Sequence, residues 1–385
     1  MVHKIAKNIT SDYNNQWLGE IVVDHGDIFN IRLLGTDAIF TTNPTYIKQM
    51  ISTDFHVWDK GKERFTDLMH SFLGDGVFNS DGAMWKFHRS MTRPFFAKDK
   101  IVHFEIFTNH ADKAIAKIKE RGGGPVDFQD IASRFTMDSA TSFLFGKSVD
   151  SMATPLRLPY GSKDNLAKDS FASSAYFPEA FQTVLRACAF RLTVGRAHWP
   201  LFEFWDDEVK RHMEPIYSYI EPIVQRALDE GAANGTLQGR DTEEGPEDHE
   251  TLLDHLVSVT RDRNIIRGEL LNILLAARDT TAHLITTVLY FLATEDPEIS
   301  VCLRKEIADI VGSKNIPTYE NIKDMKYLRA VLNESLRLIP SVPGNMKHSN
   351  AASVWTDPAT GVRYYLPKGV NAIWSVILMH RRQDL

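Results

Sequence analysis

Residues 266–294 read as one long apolar helix, and its middle, "LLAARDTTAHLI" (274–285), sets an arginine, an aspartate and two threonines in consecutive positions. A core helix avoids such a cluster, because each buried polar group must find a partner or cost free energy. This turn is therefore either an ordinary charged surface pattern, worth little energetically, or it faces something that needs an acid and a hydroxyl. Spacings of three and four put Leu271, Leu274, Leu275, Arg278 and Ala282 on one side, and Ala276, Asp279, Thr280 and His283 on another. From there the Thr280 hydroxyl can bond the Ala276 carbonyl and compete with the helical ladder. A small residue at 276 keeps that face open to a ligand.

The rest of the chain is mostly helical in pattern. A β-hairpin is read over residues 20–40, where β-branched residues alternate around Gly26 and Gly35. Helical periodicity follows over 44–52, 83–92, 99–121, 127–144, 165–190, 201–230, 251–261, 266–294, 297–311, 319–322 and 325–338. Residues 229–250, "DEGAANGTLQGRDTEEGPEDHE", are polar, acidic and Gly-rich and read as a mobile surface loop. After Pro340 two β-like runs flank an Asp-Pro turn, and "NAIWSVILMHRRQDL" reads as the start of a further helix. The fold class is mainly α with small β-sheets assembled from both ends, in a single domain over 1–385.

Composition narrows the function. A net charge of -6 over 385 residues gives no support for nucleic-acid binding. Two cysteines cannot build a disulfide framework, so a reducing compartment fits better than secretion. No stretch reads as a membrane span or a signal peptide, which leaves the Asn8 sequon idle.

Two further constellations share the chain with the Asp279–Thr280 turn. In "GDGVFNSDGAMWKFHRSMTRPFF" (74–96), Trp85 and Arg89 are four apart, so an indole N–H and a guanidinium project from one helix face. Both are donors only and together suit a carboxylate; a cation–π contact between them is the plainer alternative. In "VLNESLRLIPSVPG" (331–344), Glu334 and Arg337 are helical neighbours three apart. An exposed pair of this kind contributes roughly 0.2–0.5 kcal/mol, and alone it implies nothing more.

Taken in order, the three motifs resemble those of the cytochrome P450 monooxygenases. Trp85-x-x-x-Arg89 is similar to the family's C-helix motif, "AARDTT" (276–281) to the oxygen-binding stretch of its I helix, and Glu334-x-x-Arg337 to its K-helix motif. "LGDGVFNSDGAMWKFHR" resembles the fungal branch that hydroxylates alkanes and fatty acids. The resemblance runs from about residue 20 onward. It implies a haem b cofactor, electrons from NADPH through cytochrome P450 reductase, O2, and a lipophilic, long-chain aliphatic substrate. It also implies the cytosolic face of the endoplasmic reticulum membrane for full-length relatives.

By the same resemblance, Thr280 organises the water that delivers protons for oxygen activation and Asp279 helps relay them. Ala276 lines the cofactor, and the helix is expected to be distorted there, as irregular turns often are at functional sites. Trp85 and Arg89 are expected to bind a haem propionate. Lys347 stands where relatives usually carry arginine, keeping the charge without the bidentate fork. Ala277 replaces the commoner glycine. Glu334 and Arg337 form a structural network.

The family's iron ligand lies in a Phe- and Gly-rich cysteine loop, followed by helix L. The sequence stops at "HRRQDL", and neither Cys188 in "LRACAFR" nor Cys302 in "ISVCLRKE" has that setting; both read as buried helical residues. The expectation is therefore a P450 fold lacking the thiolate loop and helix L, with no axial cysteine and no membrane anchor. Two readings follow: a haem-thiolate monooxygenase, which describes the family and the complete gene product, or a non-catalytic truncated P450-like remnant, which describes this polypeptide literally and makes it inactive as given. Chance order of three motifs in an unrelated helical bundle is the third.

Overall fold

Strands from opposite ends of the sequence meet in one sheet. The computed structural model describes residues 16–33, 36–96, 104–159, 173–196, 198–233, 250–312, 315–357 and 359–385. The chain packs as two compact units: the residues up to Lys62 with Leu332–Leu385, and Glu63–Val331.

In the first unit, α1 (Gln16–His25) precedes β1 (Ile28–Leu33) and β2 (Thr36–Thr41), which pair antiparallel from Ile28↔Thr41 to Leu33↔Thr36. The hairpin is as expected, but residues 20–25, read as part of it, are helical. Their apolar side chains fall at helical as well as alternating spacing, so Leu18 can pack with Ile31 and Phe40. After α2 (Pro44–Lys48) and β3 (Trp58–Asp59), the chain returns to this unit with β4 (Gly344–Ser349), β5 (Ser353–Thr356), β6 (Arg363–Leu366) and β7 (Asn371–Ser375). The large sheet runs β1-β2-β7-β4-β3, with β2 and β7 parallel. β5 and β6 pair antiparallel from Ser353↔Leu366 to Thr356↔Arg363, as the second hairpin; Pro358 lies outside the described residues. "NAIWS" is thus a strand, not the start of a helix; its β-branched and aromatic residues bury against the sheet. Only Val376–Met379 turns helical, capped by Ser375. Trp355 stacks on Tyr46 at 4.9 Å between ring centroids, beside buried Trp58.

The second unit is helical. Its elements are α3 (Asp67–Leu73), α4 (Gly82–Thr92), α5 (Phe104–Glu120), α6 (Phe128–Phe145), α7 (Ser173–Val194), α8 (Trp199–Phe202) and α9 (Glu208–Ala233). They are followed by α10 (Leu252–Val259), α11 (Arg263–Thr294), α12 (Pro297–Ile310), α13 (Tyr319–Asp324) and α14 (Lys326–Leu338), which crosses the division between units. Helix α3 has no counterpart in the sequence reading, its seven residues being too few to show a period. The helix expected over 201–230 is two, and residues 229–233 of the expected acidic loop continue α9; residues 234–249 lie outside the described residues. So do Asn8 and the first residues of the helices expected at 99–121 and 165–190.

Helix α11 is the axis of this unit. Asp262 caps its start, accepting from Asn264 N at 2.9 Å, which satisfies one of the donors a helix start leaves open. Leu270, Leu271 and Leu274 are buried in a core shared with Met137, Leu144, Phe177 and Phe181. Burying such side chains contributes roughly 1.5–3 kcal/mol each. A helix buried on this many sides is held rigidly, so its polar residues sit at fixed positions. Among the described residues no helix is long and apolar enough to cross a membrane.

Candidate active site

The loop before α4 is pinned to α11 by one side chain. The Asn272 carboxamide accepts from Phe78 N at 2.8 Å and donates to the carbonyls of Leu73 (2.8 Å) and Gly268 (2.7 Å). The loop can lie this close because residue 76 is glycine: a Cβ there would stand 2.2 Å from Asn272 Nδ2 and 2.8 Å from the Gly268 carbonyl oxygen. Asn79 and Ser80 bond back to the carbonyls of Gly74 and Asp75. The run "LGDGVFNS" is therefore a compact knot that delivers α4 to α11 at a fixed place.

Helix α4 is then locked from inside. His88 Nδ1 meets Glu269 Oε1 of α11, and neither side chain has any solvent exposure. One turn on, His255 Nε2 of α10 donates to the Met91 carbonyl at 2.9 Å. With His88 facing in, Trp85 is half-buried and Arg89 is exposed. The Arg89 side chain makes no hydrogen bond, ion pair or ring contact among the described residues, so the cation–π alternative is not the one adopted. An unpaired guanidinium one turn from an indole N–H is suited to a carboxylate.

Glu269, Asn272, Ala276 and Thr280 follow one another along one face of α11, and Thr280 lies eleven residues, about three turns, beyond Glu269. The Thr280 hydroxyl donates to the Ala276 carbonyl at 2.6 Å, as expected. The expected distortion is not present: α11 runs unbroken from Arg263 to Thr294, because the hydroxyl joins the ladder at the carbonyl without displacing a turn. Ala277 is half-buried against the core.

Arg278 overturns the surface-turn alternative. Its side chain is 6% exposed, while that of Asp279 is 39% exposed. Arg278 Nη1 donates to Asp279 Oδ1 at 2.9 Å and to Gln182 Oε1 of α7 at 3.0 Å. Burial pushes the Asp279 carboxyl above the usual carboxylate range, and the Arg278 charge and hydrogen bond pull it back. Burial likewise lowers Arg278, with Asp279 opposing.

Glu334, Arg337 and Lys347 lie in the sheet unit, and the two cysteines in the helical one. Arg337 binds Glu334 through two bonds of 2.6 and 2.7 Å and reaches the His380 carbonyl at 3.2 Å. Glu334 is held below its usual range by that contact. The Lys347 ammonium donates to the Trp58 carbonyl at 3.3 Å and lies 4.8 Å from the Phe55 ring centroid. Cys188 is fully buried in α7, and burial pushes its thiol up to about 12. Cys302, expected to be buried, is only half-buried on α12, beside Glu298. Neither cysteine stands on the α11 face with Thr280.

The family model described as Cytochrome P450 matches residues 10–385. The chain belongs to the cytochrome P450 family. Cytochrome P450 52A12 of Debaryomyces hansenii is 33% identical, over 93% of this chain and 67% of its own length. Cytochrome P450 52A4 of Candida maltosa is 30% identical over 96% of the chain and 67% of its length. Cytochrome P450 monooxygenase himC of Aspergillus japonicus is 32% identical over 99% and 66%. The chain thus spans about two thirds of the length of these P450 relatives.

The P450 motifs give the expected residues their setting, but sequence reasoning missed four others. His88 and Glu269 lie 181 residues apart, and no local pattern pairs them. Asn272 and the burial of Arg278 were also missed. Their only trace in the sequence is that they are polar residues on a helix otherwise apolar around them.

Proposed function

We propose that this chain carries the oxygen-side and propionate-side residues of a haem-dependent monooxygenase that inserts one oxygen atom of O2 into a lipophilic, long-chain aliphatic substrate. Haem, when bound, supplies the oxygen activation. The protein supplies position, donors and protons. Trp85 and Arg89 would hold a propionate carboxylate, both as donors. Ala276 leaves room against the helix. Thr280 spends its proton on the Ala276 carbonyl, so toward an ordered water it acts as acceptor and orients that water's protons. Asp279, half-exposed beside it, is the group that can bring a proton from solvent and hand it on. Neither Cys188 nor Cys302 would be the iron ligand, since one is buried as a neutral thiol and the other lies on α12.

The observation that carries this reading is Arg89, a cation unpaired among the described residues, beside Trp85 on a helix locked to α11 three turns from Thr280. The relatives' names, cytochrome P450 and, for himC, cytochrome P450 monooxygenase, support the monooxygenase class. The resemblance of "LGDGVFNSDGAMWKFHR" to the fungal alkane and fatty-acid branch supports the substrate, with electrons expected from NADPH through cytochrome P450 reductase at the endoplasmic reticulum membrane. The test is a carbon-monoxide difference spectrum of the haem-loaded protein, followed by turnover of alkanes and long-chain fatty acids with NADPH and reductase. Hydroxylated product from these chains supports the reading; turnover of other lipophilic compounds with no product from either class rejects the substrate assignment.

A further inference from the structure

Arg278 has no part in the function proposed above, yet it is the most deeply buried charge next to Thr280. Its side chain is 6% exposed. Its guanidinium lies 5.5 Å from the Phe181 ring centroid, and its Nε is buried without a hydrogen-bond partner among the described residues. A buried cation is expensive unless well compensated, and here the compensation is concentrated in one atom. Nη1 bonds both Gln182 Oε1 of α7 and Asp279 Oδ1. Adjacent residues on a helix project about 100° apart, so the two do not pair by default. The guanidinium reaches back from the α7 side and meets a carboxylate that emerges on the open face.

We propose that Arg278 is a positioning residue for Asp279: anchored by Gln182, it fixes the carboxylate beside Thr280 and couples that carboxylate to α7. This deepens the reading of Asp279 as the proton carrier and rests on it. A carboxylate free to turn among rotamers samples several directions; one tethered at Oδ1 presents Oδ2 in a fixed one. The same tether opposes the effect of burial, which pushes the Asp279 carboxyl above the usual carboxylate range. The groups facing Arg278 are Asp279 on its own helix, uncharged Gln182 and Phe181 on α7, and, through space, Asp130 on α6. Among the described residues, only Asp279 bonds it as an anion. Any shift of α7 along α11 would pull the guanidinium and therefore the acid.

The test needs no cofactor. In the 385-residue chain labelled with carboxyl-13C aspartate, the Asp279 signal is assigned with Asp279→Asn and titrated in the original, Arg278→Lys and Arg278→Gln proteins. An opposite charge at hydrogen-bond range lowers a carboxyl pKa by about one to three units, so Arg278→Gln should raise the Asp279 midpoint by about that much. Arg278→Lys, which keeps the charge, should restore most of it, a rescue that a merely structural role does not give. An unchanged midpoint in folded Arg278→Gln overturns the proposal. Should that variant fail to fold, Gln182→Glu sets a competing carboxylate on the guanidinium, and the Asp279 midpoint should rise; no change there overturns it equally. These titrations stand apart from the haem reading. Loss of the Thr280 role in turnover leaves them intact, and their failure leaves the Thr280 role standing.

Discussion

Nδ1 of His88 and Oε1 of Glu269 are in contact between α4 and α11, with both side chains fully excluded from solvent. Breaking a buried pair by removing one partner typically costs about 3–5 kcal/mol, while replacing both by apolar residues is often neutral. Glu269→Leu alone should therefore destabilise the protein by about that amount, and His88→Leu/Glu269→Leu should recover most of it. Urea unfolding of the two single variants and the double variant measures this. Losses that simply add would mean the two residues are not coupled.

Gly76 tests the knot that delivers α4. A methyl group there would collide with Asn272 and the Gly268 carbonyl, and overpacking of this kind typically costs about 1–3 kcal/mol. Gly76→Ala should lower the urea midpoint accordingly. An unchanged midpoint would show that loop 74–80 does not lie on α11.

The helices around these residues were legible because apolar spacing of three and four is a local signal, and α4, α6, α10, α11, α12 and α14 all carry it. Helix α1 was misread because six residues fit a strand and a helix equally well. β7 was misread because its pairing partner β2 lies more than 300 residues away. The candidate site divides the same way. Trp85, Arg89, Asp279 and Thr280 stand in short motifs that order alone identifies. His88, Glu269, Asn272 and Gln182 acquire their meaning only from partners on other helices. Arg278 was placed on the apolar side of α11 by its spacing, yet its charge argued for water; the buried hydrogen bonds to Gln182 and Asp279 resolve that conflict.

Arg89 should separate ligand retention from stability. It is exposed and unpaired among the described residues, so Arg89→Ala should change unfolding free energy by no more than about 0.5 kcal/mol. A hydrogen bond to a charged group contributes about 1.5–3 kcal/mol, so haem retention should weaken by about one to two decades. Haem content after purification and the dissociation rate measure it. Lys347→Ala should weaken retention less, its ammonium being bonded to the Trp58 carbonyl. Equal retention in Arg89→Ala and the unaltered protein would contradict the propionate assignment.

The two cysteines should differ in reactivity. The thiolate is the reacting form, and Cys188 is fully buried with its thiol pushed up to about 12. A maleimide at neutral pH should label half-buried Cys302 first and leave Cys188 untouched until the protein is unfolded in urea. Mass spectrometry of the labelled peptides reads this. Rapid native labelling of Cys188 would contradict its placement in the core.

The central claim is that the Asp279–Thr280 turn manages protons for oxygen activation, and the most direct measurement is product formed per NADPH consumed in Thr280→Ala. In the haem-loaded protein supported by reductase, this variant should keep its haem content while coupling falls and peroxide rises, because the hydroxyl that orients the water is gone. Coupling equal to that of the unaltered protein, at equal haem content, would contradict the account.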